Sequence, residues 1–256
     1  MGIEAISSRK NQTIARLRLL AADGAFRREQ GEYLCDGIKL LREALDQGAD
    51  LRCILWKEKP ESLPGLEAVK QYVAPADLFD YASPMKNSPG PVFTVAIPGE
   101  EADRPLKNAI VLENVQDPGN VGTVLRTAKA LGVSAVVLVG ACADVYSPKA
   151  ARATMGAIFQ QRVIQAELPA LKTLAAKNGL PLYAAALSEQ AVDIRSLALK
   201  NAIVCVGSEG QGLSRELVEA CDGQLIIPMT PGSESLNAAV AASLIMWEMT
   251  RDTINR

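Results

Sequence analysis

Three short stretches of this chain carry residues whose types and spacing suit chemistry. The last, Leu225 to Met249, reads LIIPMTPGSESLNAAVAASLIMWEM: a β-branched run ends in a Pro/Gly/Ser loop and passes directly into an Ala-rich segment of helical period. Ser235 and Asn237 fall where that helix starts, beside unpaired backbone N–H groups and the positive end of the dipole. A polar or anionic group is the natural guest there. Upstream, Glu113 to Gly132 reads ENVQDPGNVGTVLRTAKALG, with Asn120 at the head of a helix and Arg126 farther along it, in an apolar setting where a guanidinium wants an anionic partner. Between them, Val206 to Ser214 reads VGSEGQGLS, a glycine loop around Glu209, whose carboxylate either pairs with Arg126 or caps a backbone loop. Each feature has a plainer alternative: helix caps for Asn120, Ser235 and Asn237, an exposed snorkelling side chain for Arg126, a tight turn for the glycines.

The inventory excludes several other chemistries. There is no histidine, so Ser-His-Asp triads, His-based acid/base work and the common His-containing zinc sites are absent. Cys35, Cys53, Cys142, Cys205 and Cys221 form no C-x-x-C pair and sit mostly in apolar runs, which reads as buried, reduced thiols. Gly207, Gly210 and Gly212 are spaced G-x-x-G-x-G after a late strand, whereas a dinucleotide site needs G-x-G-x-x-G after the first. The net charge of −2 argues against indiscriminate nucleic-acid binding, but the charge is unevenly spread. Residues 1–28 hold Arg9, Lys10, Arg16, Arg18, Arg27 and Arg28 against Glu4 and Asp23; residues 120–165 hold Arg126, Lys129, Lys149, Arg152 and Arg162 against Asp144. Two basic patches on an acidic body suit a phosphate-bearing partner, with solvated helix faces as the plain alternative. No apolar run approaches the ~18 residues of a membrane span, and MGIEAISSRKNQ lacks a signal-peptide core, so a cytoplasmic protein with no membrane partner is expected.

The elements that must position these residues follow from periodicity. A helix is expected over 7–20 with Ile14, Leu17 and Leu20 on one face, then a turn at Asp23-Gly24, a strand over 32–36 and a helix over 38–47 stopped by Gly48. A strand over 51–56 follows, alternation continues through 66–72 and 76–81, and a strand over 92–97 closes a first α/β unit, 1–97. The charged, proline-bearing stretch 98–107 reads as a linker to a second domain, 108–256. There, strands over 109–113, 135–139, 162–165, 182–186, 202–206 and 225–228 alternate with helices over 121–131, 148–156, 168–177 and 215–220 and a terminal helix. That alternation predicts a mostly parallel sheet covered on both faces.

In this order and spacing the three stretches resemble the motifs of the SpoU/TrmH class of SPOUT methyltransferases. Asn120 and Arg126 match the first, Gly207-x-Glu209-x-x-Gly212 the second, and Ser235-x-Asn237 behind the IPM run the third. The resemblance covers about residues 108 to 252. In length and order the first unit is similar to the ribosomal-protein-type RNA-binding domain often found ahead of that domain, an assembly appendage being the alternative. The resemblance implies an α/β fold, a mostly parallel sheet with a C-terminal trefoil knot, preceded by a smaller α/β domain. It implies S-adenosylmethionine as cofactor, held by Leu187, Gly207, Glu209, Gly212, Ile227, Met229, Ser235 and Leu236. The implied reaction is methyl transfer to a ribose 2′-hydroxyl of RNA without a metal, with Arg126, Asn120, Glu209, Ser235 and Asn237 as the catalytic set. Arg126 then serves as base or as electrostatic anchor. Arg9, Lys10, Arg16, Arg18 and Arg152 are the expected RNA contacts, and a homodimer through the methyltransferase domain the expected assembly. Ribosomal RNA is favoured over transfer RNA as substrate; a tRNA 2′-O-methyltransferase and a catalytically silent RNA-binding protein are the alternatives.

Overall fold

The computed structural model describes residues 2–99, 104–230, 232 and 235–253. By contacts the chain divides into two units, Met1–Gly99 with Asp144–Phe159, and Glu100–Ala143 with Gln160–Arg256. The division differs from the expected one in the segment 144–159, which belongs with the first unit although it interrupts the second in sequence.

The first unit is built from β1 (Ile3–Ala5), α1 (Gln12–Ala22), α2 (Gly24–Gln30), β2 (Glu32–Asp36), α3 (Ile38–Asp46), β3 (Leu51–Lys57), β4 (Lys70–Ala74), α4 (Ala76–Ala82) and β5 (Val92–Ala96). Its five strands lie in the order β1-β4-β3-β5-β2, with β1, β4 and β3 parallel and β5 antiparallel to both its neighbours. α1 buries Ile14, Leu17 and Leu20 as the periodicity requires. It starts later than expected because Asn11 caps it, its side chain accepting from Thr13 N at 2.8 Å. The expected turn at Asp23-Gly24 is a helix junction instead: the Asp23 carboxylate accepts from Ala25 N and Phe26 N and starts α2. An Asp-Gly pair signals a turn and an N-cap equally well. The inserted segment 144–159 places Asp144 against Arg27 (Nη2 to Oδ2, 2.6 Å) and Tyr146 beside Tyr33, ring centroids 4.9 Å apart. Arg27 also donates to Leu20 O at 2.5 Å and is 4% exposed, so it is part of the interior and not of a phosphate-facing patch.

The second unit runs β6 (Ala109–Glu113), α5 (Pro118–Leu131) and β7 (Ala135–Val139); the chain then forms α6 (Pro148–Ala153) of the first unit. It resumes with β8 (Val163–Ala166), α7 (Leu168–Asn178), β9 (Leu182–Ala185), β10 (Val192–Asp193), β11 (Ile203–Val206), α8 (Arg215–Ala220), β12 (Gly223–Ile226) and α9 (Ala238–Thr250). The seven strands take the order β10-β12-β9-β11-β6-β7-β8, and every pair is parallel. Such sheets bury both faces, which is why β6, β7 and β11 read as unbroken apolar runs and are buried along their length. Asp117, not Asn120, caps α5, accepting from Asn120 N at 3.0 Å ahead of Pro118 at the first helical position. Gly132, left-handed at φ 71°, ends it. The strand expected over 225–228 ends at Ile226, leaving Ile227, Pro228 and Met229 to a loop. Among the described residues no helix is long and apolar enough to cross a membrane.

Candidate active site

Because the sheet is parallel, β6, β9, β11 and β12 deliver their following loops to one edge, the usual place for a ligand crevice. Glu113 closes β6 as a charged residue in an otherwise apolar strand and is 5% exposed. Its carboxylate accepts from Ser214 N and Ser214 Oγ, both at 2.7 Å, and Ser214 in turn starts α8 by accepting from Leu217 N. Glu113 therefore anchors the far end of the glycine loop. The signal for it lies in the sequence itself, since a carboxylate that ends a fully buried strand calls for a built hydrogen bond.

The loop closes on itself. Gly212 N donates to Ser208 O at 2.8 Å, and Gly212 takes the left-handed conformation. A Cβ on Gly207 would lie 2.0 Å from Gly212 C, so no other residue fits there. Inside the loop, Glu209 Oε1 accepts from Asn120 Nδ2 at 2.9 Å, from Ala238 N at 3.3 Å and from Asn237 Nδ2. Of the two roles open to Glu209 in the sequence, the structure selects the capping one, at the positive end of α9, and not a pair with Arg126. Asn237 does two things at once: Oδ1 caps α9 by accepting from Ala239 N and Val240 N, while Nδ2 reaches Glu209 and, at 3.2 Å, Asn120 Oδ1. One residue from each of the three stretches thus meets in a single network. Ser235 lies two positions before the cap and is exposed. Arg126 projects from the exposed side of α5 and makes no ion pair with any described residue.

A cavity of about 540 Å³ opens beside this network. Leu187, Gly207, Glu209, Gly212, Ile227, Met229, Ser235 and Leu236, the residues expected to touch a cofactor, all line it. A second space of about 520 Å³, bounded by Asn114, Gln116, Asp117 and Asn120, shares Ser208–Gln211 and Ala238 with the first. Glu209 and its loop therefore divide two neighbouring chambers. Cys205, directly before the loop, is held as a thiol: burial first, then Cys221, raises its pKa well above the ordinary range. Burial likewise raises the pKa of Cys142.

In the first unit, Arg9 and Arg18 lie over the Tyr81 ring, 4.6 and 4.0 Å from its centroid, with Arg18 also donating to the Tyr81 hydroxyl. Lys10 and Arg28 are exposed, and Arg152 is exposed on α6. Arg16 pairs with Glu32.

Residues 107–247 match the SpoU rRNA Methylase family. An uncharacterized tRNA/rRNA methyltransferase of Synechocystis is 34% identical, over 97% of this chain and 94% of its own. A 23S rRNA (guanosine(2553)-2′-O)-methyltransferase of Bacillus subtilis is 30% identical over 95% of this chain and 98% of its own. The AdoMet-bound rRNA methyltransferase of Sinorhizobium meliloti superposes with a TM-score of 0.87 over 99% of both chains at 24% identity, a likeness of fold. With a matching family domain over more than half its length and relatives matching along nearly all of it, the chain belongs to the SpoU rRNA methylase family.

Proposed function

We propose that this protein transfers the methyl group of S-adenosylmethionine to a ribose 2′-hydroxyl of RNA, ribosomal RNA in preference to transfer RNA, as a cytoplasmic homodimer. The observation that carries the reading is the Asn120–Glu209–Asn237 network standing between two chambers. The larger chamber has the volume and the mixed lining of a cofactor site, glycine backbone on one side and Leu187, Ile227, Met229 and Leu236 on the other. Those residues would hold S-adenosylmethionine, with the C-terminal segment threaded as the knot that the family resemblance implies. When bound, the cofactor supplies a methyl group on a sulfonium, already an excellent leaving group. What remains for the chain is in-line positioning and the fate of the hydroxyl proton.

Glu209 and the two asparagines are positioning residues that hold three loops in register around the chambers. Arg126, exposed and without a carboxylate partner among the described residues, faces the RNA side. A guanidinium gives up its proton very reluctantly, so the electrostatic role suits it better than that of base: it fixes a substrate phosphate and stabilises charge growing on the ribose oxygen as the hydroxyl proton passes to water. Arg9, Lys10, Arg18 and Arg152 supply phosphate contacts from the first unit, which serves as the RNA reader. The named activity of the B. subtilis relative supports ribosomal RNA as the substrate class.

Single-turnover assays with saturating RNA test the assignment. Arg126→Ala should slow methyl transfer by about 10²–10³-fold or more while S-adenosylmethionine affinity by calorimetry stays within a few fold. Near-normal rates would remove Arg126 from the mechanism and leave Glu209 and Asn237 to explain it. Mapping 2′-O-methylation in total RNA of a deletion strain identifies the substrate: a lost mark confined to transfer RNA overturns the ribosomal assignment. A protein that binds RNA but neither binds S-adenosylmethionine nor methylates is the silent alternative.

A further inference from the structure

The first unit contains a second polar cavity, about 520 Å³, that the methyl-transfer chemistry leaves unused. β2 and β3 each pair antiparallel with β5, and β3 pairs parallel with β4, so β2, β3 and β4 run in one direction. Their starts gather at one end of the sheet under α1. Glu32 opens β2, Arg52 and Cys53 stand near the start of β3, Lys70 opens β4 with Tyr72 close behind, and Arg16 reaches in from α1; all six line the cavity.

Glu32 decides what this cavity wants. It is 3% exposed, its Oε2 is held by Arg16, and its Oε1 is buried and meets no donor among the described residues. Buried carboxylate oxygens are normally satisfied, and an ionised carboxylate can only accept. Cys53 Sγ, on the same cavity, lies 3.4 Å from Thr94 Oγ1 and is not a partner of Glu32 Oε1. Three cations line the same cavity, of which Arg16 is held by Glu32 itself. Arg52 is half exposed and also pairs with Asp50 at 2.9 Å, which places it at the rim, and Lys70 is exposed. The ligand must therefore donate an N–H inward, carry negative charge outward, and be of about nucleotide size.

We propose that this cavity takes one unpaired nucleotide of the RNA whose base bears an amino group, the amine donating to Glu32 Oε1, Tyr72 forming an aromatic wall and Arg52 and Lys70 facing the phosphate. Proteins that read RNA by sequence do so on unpaired bases, through hydrogen bonds to their edges and contact with aromatic side chains. The site differs from the Arg9/Arg18 patch in kind: the patch holds the backbone, and the cavity selects a base. The proposal rests on the reading of RNA as substrate.

Calorimetry of the full-length protein with CMP and UMP tests it, because the two share ring size and phosphate and reverse one edge, cytosine presenting an amine at position 4 beside an acceptor N3, uracil O4 beside an N3–H. CMP should bind about tenfold more tightly or better. In Glu32→Gln, Arg16 keeps its oxygen, so the amide nitrogen replaces the free acceptor and the preference should turn toward UMP, whose O4 accepts. Equal affinities in the wild type, a preference for CMP that survives Glu32→Gln, or no CMP binding at millimolar concentration each overturns the proposal. Unaltered hydrogen-exchange protection in α1 and β2 certifies the fold of the first unit in the variant. Should Glu32→Gln fail to fold, Lys70→Ala keeps the acceptor and should weaken both nucleotides about fivefold at an unchanged ratio; unaltered affinities there also overturn it. A wild type that methylates RNA yet ignores CMP sinks the base site alone, while one that prefers CMP yet methylates nothing sinks the reading it rests on.

Discussion

At Gly207 a missing side chain is the functional feature. With Gly212 C only 2.0 Å from where a Cβ would sit, Gly207→Ala must push the loop open. Overpacking of this kind costs about 1–3 kcal/mol, and here it falls on the cofactor wall. The expected outcome is S-adenosylmethionine binding weakened about tenfold or more by calorimetry, with the melting temperature lowered by about 2–4 °C per kcal/mol of overpacking; unaltered affinity would mean that the loop is not part of the cofactor site. Asn237 separates capping from positioning. Asn237→Asp keeps a good N-cap but sets a second carboxylate against Glu209, so turnover should fall further than it does in Asn237→Ala, which loses about 1 kcal/mol of cap. Should the two variants track only their melting temperatures, the network is a cap and nothing more. Types and order made Glu209, Asn120 and Asn237 legible in the sequence. Their mutual bonds were not, because the partners are 89 and 28 positions from Glu209 and only the fold brings them together. By residue type Asn120 is as good a cap as Asp117, and two such residues within four leave the start of α5 undecided until the fold is known.

Among the elements, α9 was the easiest to read and the hardest to orient. Its sequence is apolar almost all round, so periodicity says that it is buried without saying against what. In the structure it packs on α5 and leaves Val240, Leu244 and Trp247 48%, 44% and 54% exposed along one side, beside Asn120, Thr123 and Leu131. An exposed aromatic and aliphatic stripe of this kind is suited to an isologous contact with a second copy, as the proposed dimer requires. Trp247→Glu should shift the protein from dimer to monomer in sedimentation at micromolar concentration and slow methyl transfer with it. A wild type that sediments as a monomer would remove the dimer from the proposal. Other elements escaped the sequence for local reasons: α2 hides behind an Asp-Gly pair, and β1 and β10 are too short to show a period.

For the whole molecule, the parallel sheet and the site at its edge were legible because buried strands and loop motifs are local signals; the composition of the first unit was not, because 144–159 joins it from far along the chain. This segment governs how the role of the first unit can be tested. A fragment of residues 1–99 keeps Arg27 but lacks Asp144, and breaking a buried pair costs about 3–5 kcal/mol, comparable with the stability of a domain of this size. Such a fragment should not fold cooperatively, and Asp144→Ala in the full chain should lose hydrogen-exchange protection in α1 and α2; a fragment as protected as the full chain would refute this. Deleting residues 1–97 is equally uninformative, since it strips 144–159 of its packing, and lost methylation would then report damage as readily as lost RNA contact. Charge reversal on the surface avoids both problems. Arg9, Lys10 and Arg18 are exposed, whereas Arg16 and Arg27 are committed to Glu32 and Asp144. Replacing the first three with Glu should weaken RNA binding and reduce the slope of log affinity against log salt by about one per lost phosphate contact, with S-adenosylmethionine affinity unchanged. An unchanged slope would place the RNA elsewhere, and leave Arg152 and the second unit to carry it.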